Sequence, residues 1–245
     1  MSAKTAVIIP ARFGSTRFPG KPLHPILGKP LIQHVWERCQ RANGVDAVIV
    51  ATDDMRIAET AFAFGAEVSM TSPEHQSGTD RCAEVAKRLR KYSHVINVQG
   101  DEPLIDPDFV SRLAKALRKH KRTKMVTAAT EFGPGEDVAS PNAVKVVLSQ
   151  DCDALYFSRA PIPFIREAGA GTVYYRHLGI YGYTAKFLRQ FVKWPVGRLE
   201  AVEQLEQLRA LENGARIRVV VTTSRSVGVD SPEDVAAAEQ LLAEE

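Results

Sequence analysis

The chain has 245 residues, 44% of them hydrophobic and 25% charged, with a net charge of +3. This composition excludes a largely disordered chain, and so small a charge excludes binding to nucleic acid or a membrane surface through the overall field. Cys39, Cys82 and Cys152 are far apart and form no CxxC pair, which argues against a disulfide framework or zinc knuckle and reads as reduced cytosolic thiols; no apolar stretch nears the ~20 residues of a membrane span, so the chain reads as neither exported nor membrane-spanning.

In chain order, AVII (Ala6–Ile9) predicts a first strand, and it runs into a loop of small and basic residues, ARFGSTRFPGKPL. Leu31–Cys39 then predicts a helix, with Leu31, Ile32, Val35, Trp36 and Cys39 on one face. Ala47–Ala51 reads as a strand, Met55–Phe64 and Asp80–Leu89 as helices, His94–Val98 as a strand and Pro107–Leu117 as a helix. Further strands are predicted at Met125–Ala129, Val144–Leu148 and Ile217–Val221, with a turn-rich loop over Glu131–Asn142. Tyr156–Trp194 is irregular and aromatic-rich, and reads as an inserted subdomain or a subunit contact. A helix is predicted from Leu199, closing on Gly214. The last helix is predicted to start at SPED, with Ser231 as N-cap, Pro232 at N1 and Asp234 in the capping-box position.

Strands with continuous apolar runs alternating with amphipathic helices predict an α/β fold, a mostly parallel central sheet flanked by helices, in one domain over residues 1–245. Ligands of such sheets bind outside the carboxyl ends of the strands. The opening loop leaves such an end. Its glycines and its Arg12, Arg17 and Lys21 outline a phosphate cradle, with Pro19 and Pro22 lowering the ordering cost. A Walker A loop does not fit, because Gly14 to Gly20 is one residue too long and Pro22 stands where a magnesium-binding hydroxyl belongs. KALRKHKRTK (Lys115–Lys124) is strongly basic, yet it lacks interleaved aromatics and reads as a solvated helix end rather than a nucleic-acid surface.

Eight ordered segments, IIPARFGSTRFPGKPL, HQSGTDR, NVQGDEP, NAVKVVL, YFSRAPIP, RHLGIYGY, LEQLR and GVDSPED, carry a resemblance over nearly the whole chain. The sequence resembles the 3-deoxy-manno-octulosonate cytidylyltransferases, or CMP-Kdo synthetases. The resemblance implies a Rossmann-like nucleotidyltransferase fold of the GT-A type, a cytoplasmic homodimer, Mg²⁺ as cofactor, and CTP and Kdo as substrates on the way to lipopolysaccharide.

On that resemblance Arg12, Ser15, Arg17 and Lys21 hold the triphosphate, and Lys21 also stabilises charge as pyrophosphate leaves. Asp101 and Asp230 match two magnesium ligands; the lesser alternatives are a turn aspartate for Asp101 and a helper of the Ser231 cap for Asp230. Lys21, Asp101 and Asp230 are thus the expected catalytic set. Ser77 and Arg81 have the donors and acceptors to read the cytosine edge; the other reading is that Asp80 and Arg81 only begin the next helix. Gln99, Arg159, His177, Tyr181, Glu206 and Gln207 match the sugar pocket. Glu206 falls about 20° from Leu199 at about 100° per residue, so on a continuous helix it shares the apolar side, either paired with Arg209 or aimed into a site. Two other readings stand beside this one: a related acidic sugar such as a sialic acid as acceptor, and a nucleotide sensor without turnover.

Overall fold

The computed structural model describes residues 3–14, 18–119, 123–167, 173–223 and 228–244. Among them the elements run β1 (Thr5–Ala11), β2 (Pro25–Ile26), β3 (Lys29–Pro30), α1 (Leu31–Gln40), β4 (Ala47–Thr52), α2 (Met55–Ala63), β5 (Glu67–Met70), α3 (Gly78–Arg88), β6 (His94–Asn97) and α4 (Pro107–Lys119). They continue with β7 (Met125–Glu131), β8 (Lys145–Leu148), β9 (Ala154–Ser158), β10 (Tyr175–Thr184), α5 (Ala185–Phe191), α6 (Arg198–Glu203), α7 (Leu208–Glu212), β11 (Ile217–Val221) and α8 (Asp234–Ala243).

All six predicted strands form. They are β1, β4, β6, β7, β8 and β11, and β1 is buried along its whole length, as a strand covered on both faces must be. The sheet order is β11-β7-β10-β6-β1-β4-β5, with β8 and β9 extending it from β10. β1 pairs in parallel with β4 and β6, β4 with β5, and β7 with β11. One apolar layer packs α1, α2, α4 and α8 on one face; the other packs α3, α5 and α7 on the opposite face. The result is a three-layer α/β sandwich.

Three expectations need correction. The segment read as irregular contains β10, ten residues long, which lies antiparallel between β6 and β7 in the middle of the sheet. Its register shifts between Leu178 and Tyr181, a bulge that frees side chains from the ladder. The single helix expected from Leu199 is instead α6 and α7. Gln204 takes the left-handed conformation at φ 53° and stops α6, so the 20° relation of Glu206 to Leu199 does not hold. Gly214 does close α7, at φ 70°. The last helix starts at Asp234, three residues after the predicted cap. Asp234 Oδ2 accepts from the main-chain N–H of both Asp230 and Ser231, which holds residues 231–233 in a turn.

Candidate active site

The site begins where β1 and β6 end side by side. β6 leads through Val98 and Gln99 to Gly100, where a Cβ would stand 3.0 Å from the Pro10 carbonyl oxygen, so only glycine lets this turn lie against β1. Asp101 follows at once. Its carbonyl accepts from Val229 N at 2.9 Å, and that bond carries Asp230 to the same place from the other end of the chain. Lys21 arrives from a 3-10 turn (Lys21–Leu23) fixed by Gly20 at φ 72° and by Gly20 N donating to Phe13 O at 3.0 Å.

The three meet. Lys21 Nζ lies 2.6 Å from Asp101 Oδ2 and 3.5 Å from Asp230 Oδ1. They line a cavity of about 340 Å³ with Arg12, Ser77, Arg81 and Gln99. Ser15 and Arg17, the other two predicted phosphate contacts, lie outside the described residues. Ser77 is the N-cap of α3, its Oγ accepting from Asp80 N at 3.1 Å, so a cap residue forms the cavity wall. Arg81 is buried, with one nitrogen 3.1 Å from Asp53 and another bonded to Thr71 Oγ1. Its guanidinium is largely committed to protein partners.

A second cavity, about 1050 Å³, adjoins the first, and Gln76, Ser77, Gly78 and Gln99 line both. His177, Tyr181, Glu206 and Gln207 gather in it as the resemblance implies. Tyr181 Oη donates to Gln207 Oε1 at 3.0 Å, while Gln207 Nε2 is buried without a partner. A buried donor without an acceptor is costly, and a ligand oxygen would satisfy it. Glu206 accepts from Thr79 Oγ1 at 2.6 Å. The expected alternative, a pair with Arg209, is not made, because Arg209 Nε donates to Glu200 at 2.7 Å. Burial raises the Glu206 carboxyl above its usual range, against the lowering pull of Thr79 and Arg209. His177 Nε2 lies 2.9 Å from Thr127 Oγ1. That hydroxyl also donates to Ile180 O, which assigns the proton of the neutral ring to Nε2. Burial pushes the His177 pKa down to about 3.

Arg159 departs from expectation. Its Nε and Nη1 donate to the carbonyls of Glu203 and Pro141 at 2.8 Å each, and a third bond reaches Gln204 O at 3.3 Å. It lines neither cavity. The guanidinium that was expected to face a sugar carboxylate instead ties the 141 loop to the end of α6. Among cations, Arg176 lines the second cavity, paired with Glu136 at 3.0 Å. Reading residue type within RHLGIYGY did not separate it from the neighbours singled out.

Two carboxylates on one cation match what Mg²⁺ asks of a protein, one or two acidic oxygens with the remaining positions left to phosphate and water. Among the described residues no group of three or more His, Cys, Asp or Glu side chains forms a metal cage. The pair Asp101 and Asp230 is therefore a fit for a metal that travels with a nucleotide.

Comparison with known proteins gives four findings. A family model described as cytidylyltransferase matches residues 6–217. The chain is 52% identical to a 3-deoxy-manno-octulosonate cytidylyltransferase of Anaeromyxobacter sp., covering 98% of this chain and 97% of the relative. It is 50% identical to an 8-amino-3,8-dideoxy-manno-octulosonate cytidylyltransferase of Shewanella sp., covering 97% and 98%. A solved structure of CMP:2-keto-3-deoxy-manno-octonic acid synthetase complexed with CTP superposes with a TM-score of 0.94 at 42% identity, covering 99% of both chains.

Proposed function

Since the chain belongs to the cytidylyltransferase family, we propose that it transfers a cytidylyl group from CTP to the anomeric hydroxyl of 3-deoxy-manno-octulosonate, releasing pyrophosphate. The observation that carries this is the convergence of Lys21, Asp101 and Asp230 beside a second cavity with an unpartnered buried amide, Gln207 Nε2. Transfer at the α-phosphorus is catalysed by positioning and charge neutralisation, so the chain needs no nucleophile of its own. Arg12 and Lys21 neutralise phosphate oxygens on one side of the first cavity. Gly78 and Gly100 line the same cavity and let their turns lie close against Pro10. Asp101 and Asp230 would hold Mg²⁺, which would supply charge neutralisation at the phosphates. Tyr181, Glu206 and Gln207 orient the acceptor through its hydroxyls, and His177 keeps neutral polarity at the wall.

The 8-amino sugar is a second acceptor reading, supported by relatives with that name at 47–50% identity. Pyrophosphate release from CTP with each acceptor separates the two: the proposal expects turnover with the 8-hydroxy sugar and fails if only the 8-amino sugar reacts. Asp101→Asn is expected to fold and to lower turnover at least ~100-fold, the scale for loss of one pre-positioned electrostatic group. Near-normal turnover removes Asp101 from the mechanism. We also read the enzyme as a cytoplasmic homodimer in lipopolysaccharide synthesis. Three free cysteines suit a reducing compartment, and exposed apolar side chains such as Phe164 at 87% and Val202 at 83% suit a covered face. Light scattering at micromolar concentration is expected to give twice the monomer mass.

A further inference from the structure

Resting on the functional reading above, we infer that Lys21 is a built-in counter-ion: in the nucleotide-free protein its ammonium fills the place between Asp101 and Asp230, so the site refuses a bare divalent cation and accepts one only together with a polyphosphate. The geometry is specific. Nζ lies 2.6 Å from one carboxylate and 3.5 Å from the other, on a side chain only 13% exposed. The backbone beneath it is fixed by three main-chain bonds, Gly20 N to Phe13 O, Lys21 N to Phe18 O and Leu23 N to Gly20 O. Only the four methylenes of the side chain are left to swing.

The charge count gives the logic. Two carboxylates and one ammonium sum to one negative charge, so a bare dication entering between the carboxylates meets a cation already there, at a distance where like charges repel strongly. Displacing that ammonium within the cavity would leave a largely buried cation without its anionic partner. A polyphosphate changes the balance, because its oxygens offer Lys21 a new anionic partner on the Arg12 side of the same cavity. The lysine exchanges one set of oxygens for another, and the vacated carboxylates take the metal. Lys21 thus has two positions and one role in each: it holds the carboxylates together before the nucleotide arrives, and it neutralises phosphate afterwards.

Mn²⁺ binding without nucleotide, read by the electron paramagnetic resonance of the free ion, tests this. Lys21→Met is expected to bind Mn²⁺ about tenfold or more tightly than the wild type, and adding Asp101→Asn to it is expected to abolish the gain. Equal or weaker Mn²⁺ binding by folded Lys21→Met overturns the inference. Should that variant not fold, the wild type answers on its own: the ¹⁵N resonance of the Lys21 ammonium is expected to stay in place with millimolar Mg²⁺ alone and to move when CTP is added with Mg²⁺. Movement with Mg²⁺ alone overturns the inference equally. A wild type that binds no CTP at all would instead sink the functional reading, so the two failures are distinct.

Discussion

His177 shows how one burial decision sets a pH response. Its folded pKa is near 3 against an ordinary 6.5, so the neutral ring is the form that the fold accommodates. The stability this contributes is fully present above about pH 6.5 and is lost as pH falls toward 3, since the unfolded chain takes up the proton first. At pH 4.5 the wild type is expected to have lost about 2 kcal/mol through this group relative to pH 7. His177→Gln keeps a hydrogen-bonding partner for Thr127 and removes the titration. Its urea midpoint is expected to fall less steeply between those two pH values than that of the wild type, and an identical slope would refute the assignment. At Arg159 the reasoning runs the other way. A cation beside a motif invites a ligand, yet all three nitrogens of this one donate to main-chain carbonyls. Arg159→Lys keeps the charge and loses the forked geometry, so it is expected to raise the KM for the sugar acceptor while leaving that for CTP within a factor of about two. An unchanged KM for both substrates would show that the tie between the 141 loop and α6 does not shape the acceptor cavity.

At the level of elements, β10 is the strand on which the rest depends. It separates the parallel set β6, β1, β4, β5 from the parallel pair β7, β11, and it carries His177 and Tyr181 into the acceptor cavity. Gly182 sits where a Cβ would stand 2.6 Å from Val126 Cγ2 and 2.8 Å from Leu117 Cδ1. Gly182→Ala is therefore expected to force α4 and β7 apart at a cost of about 1–3 kcal/mol. For a chain of this length each kcal/mol lowers the melting temperature by about 2–4 °C, which a thermal scan resolves. The same strand explains what reading the sequence missed. The six apolar strands announce themselves because both of their faces are covered. β10 does not, because its central position is combined with a cavity wall, and RHLGIYGY places two glycines, an arginine and a histidine where a buried strand would carry valine. The break between α6 and α7 was equally hidden. Nothing in LEAVEQLEQLRALENG marks Gln204 for the left-handed region, where glycine or asparagine is the usual occupant. The pairing of Lys21 with Asp101 was legible only as family likeness, since 80 residues and the Val229 to Asp101 main-chain bond separate the letters from the contact.

For the molecule as a whole, the first cavity is assembled from three distant stretches, residues 10–12 with 21–22, the 75–101 region and Asp230. A ligand that binds only this assembled state must stabilise all of it. CTP with Mg²⁺ at 100 times its dissociation constant is expected to add about 2.7 kcal/mol of stability, visible as a raised melting temperature. Absence of any shift at that excess would mean that the three stretches do not act as one site.

The two chambers touch through the first turn of α3 and the Gln99 side chain, and through little else. Such a narrow seam makes the protein a lock with separable wards. On the proposed function, substitutions along β10 and α6–α7 would recut the acceptor half while leaving the half assigned to the triphosphate as it was. Relatives of nearly equal likeness that are named for different octulosonates are what such a division of labour would leave behind.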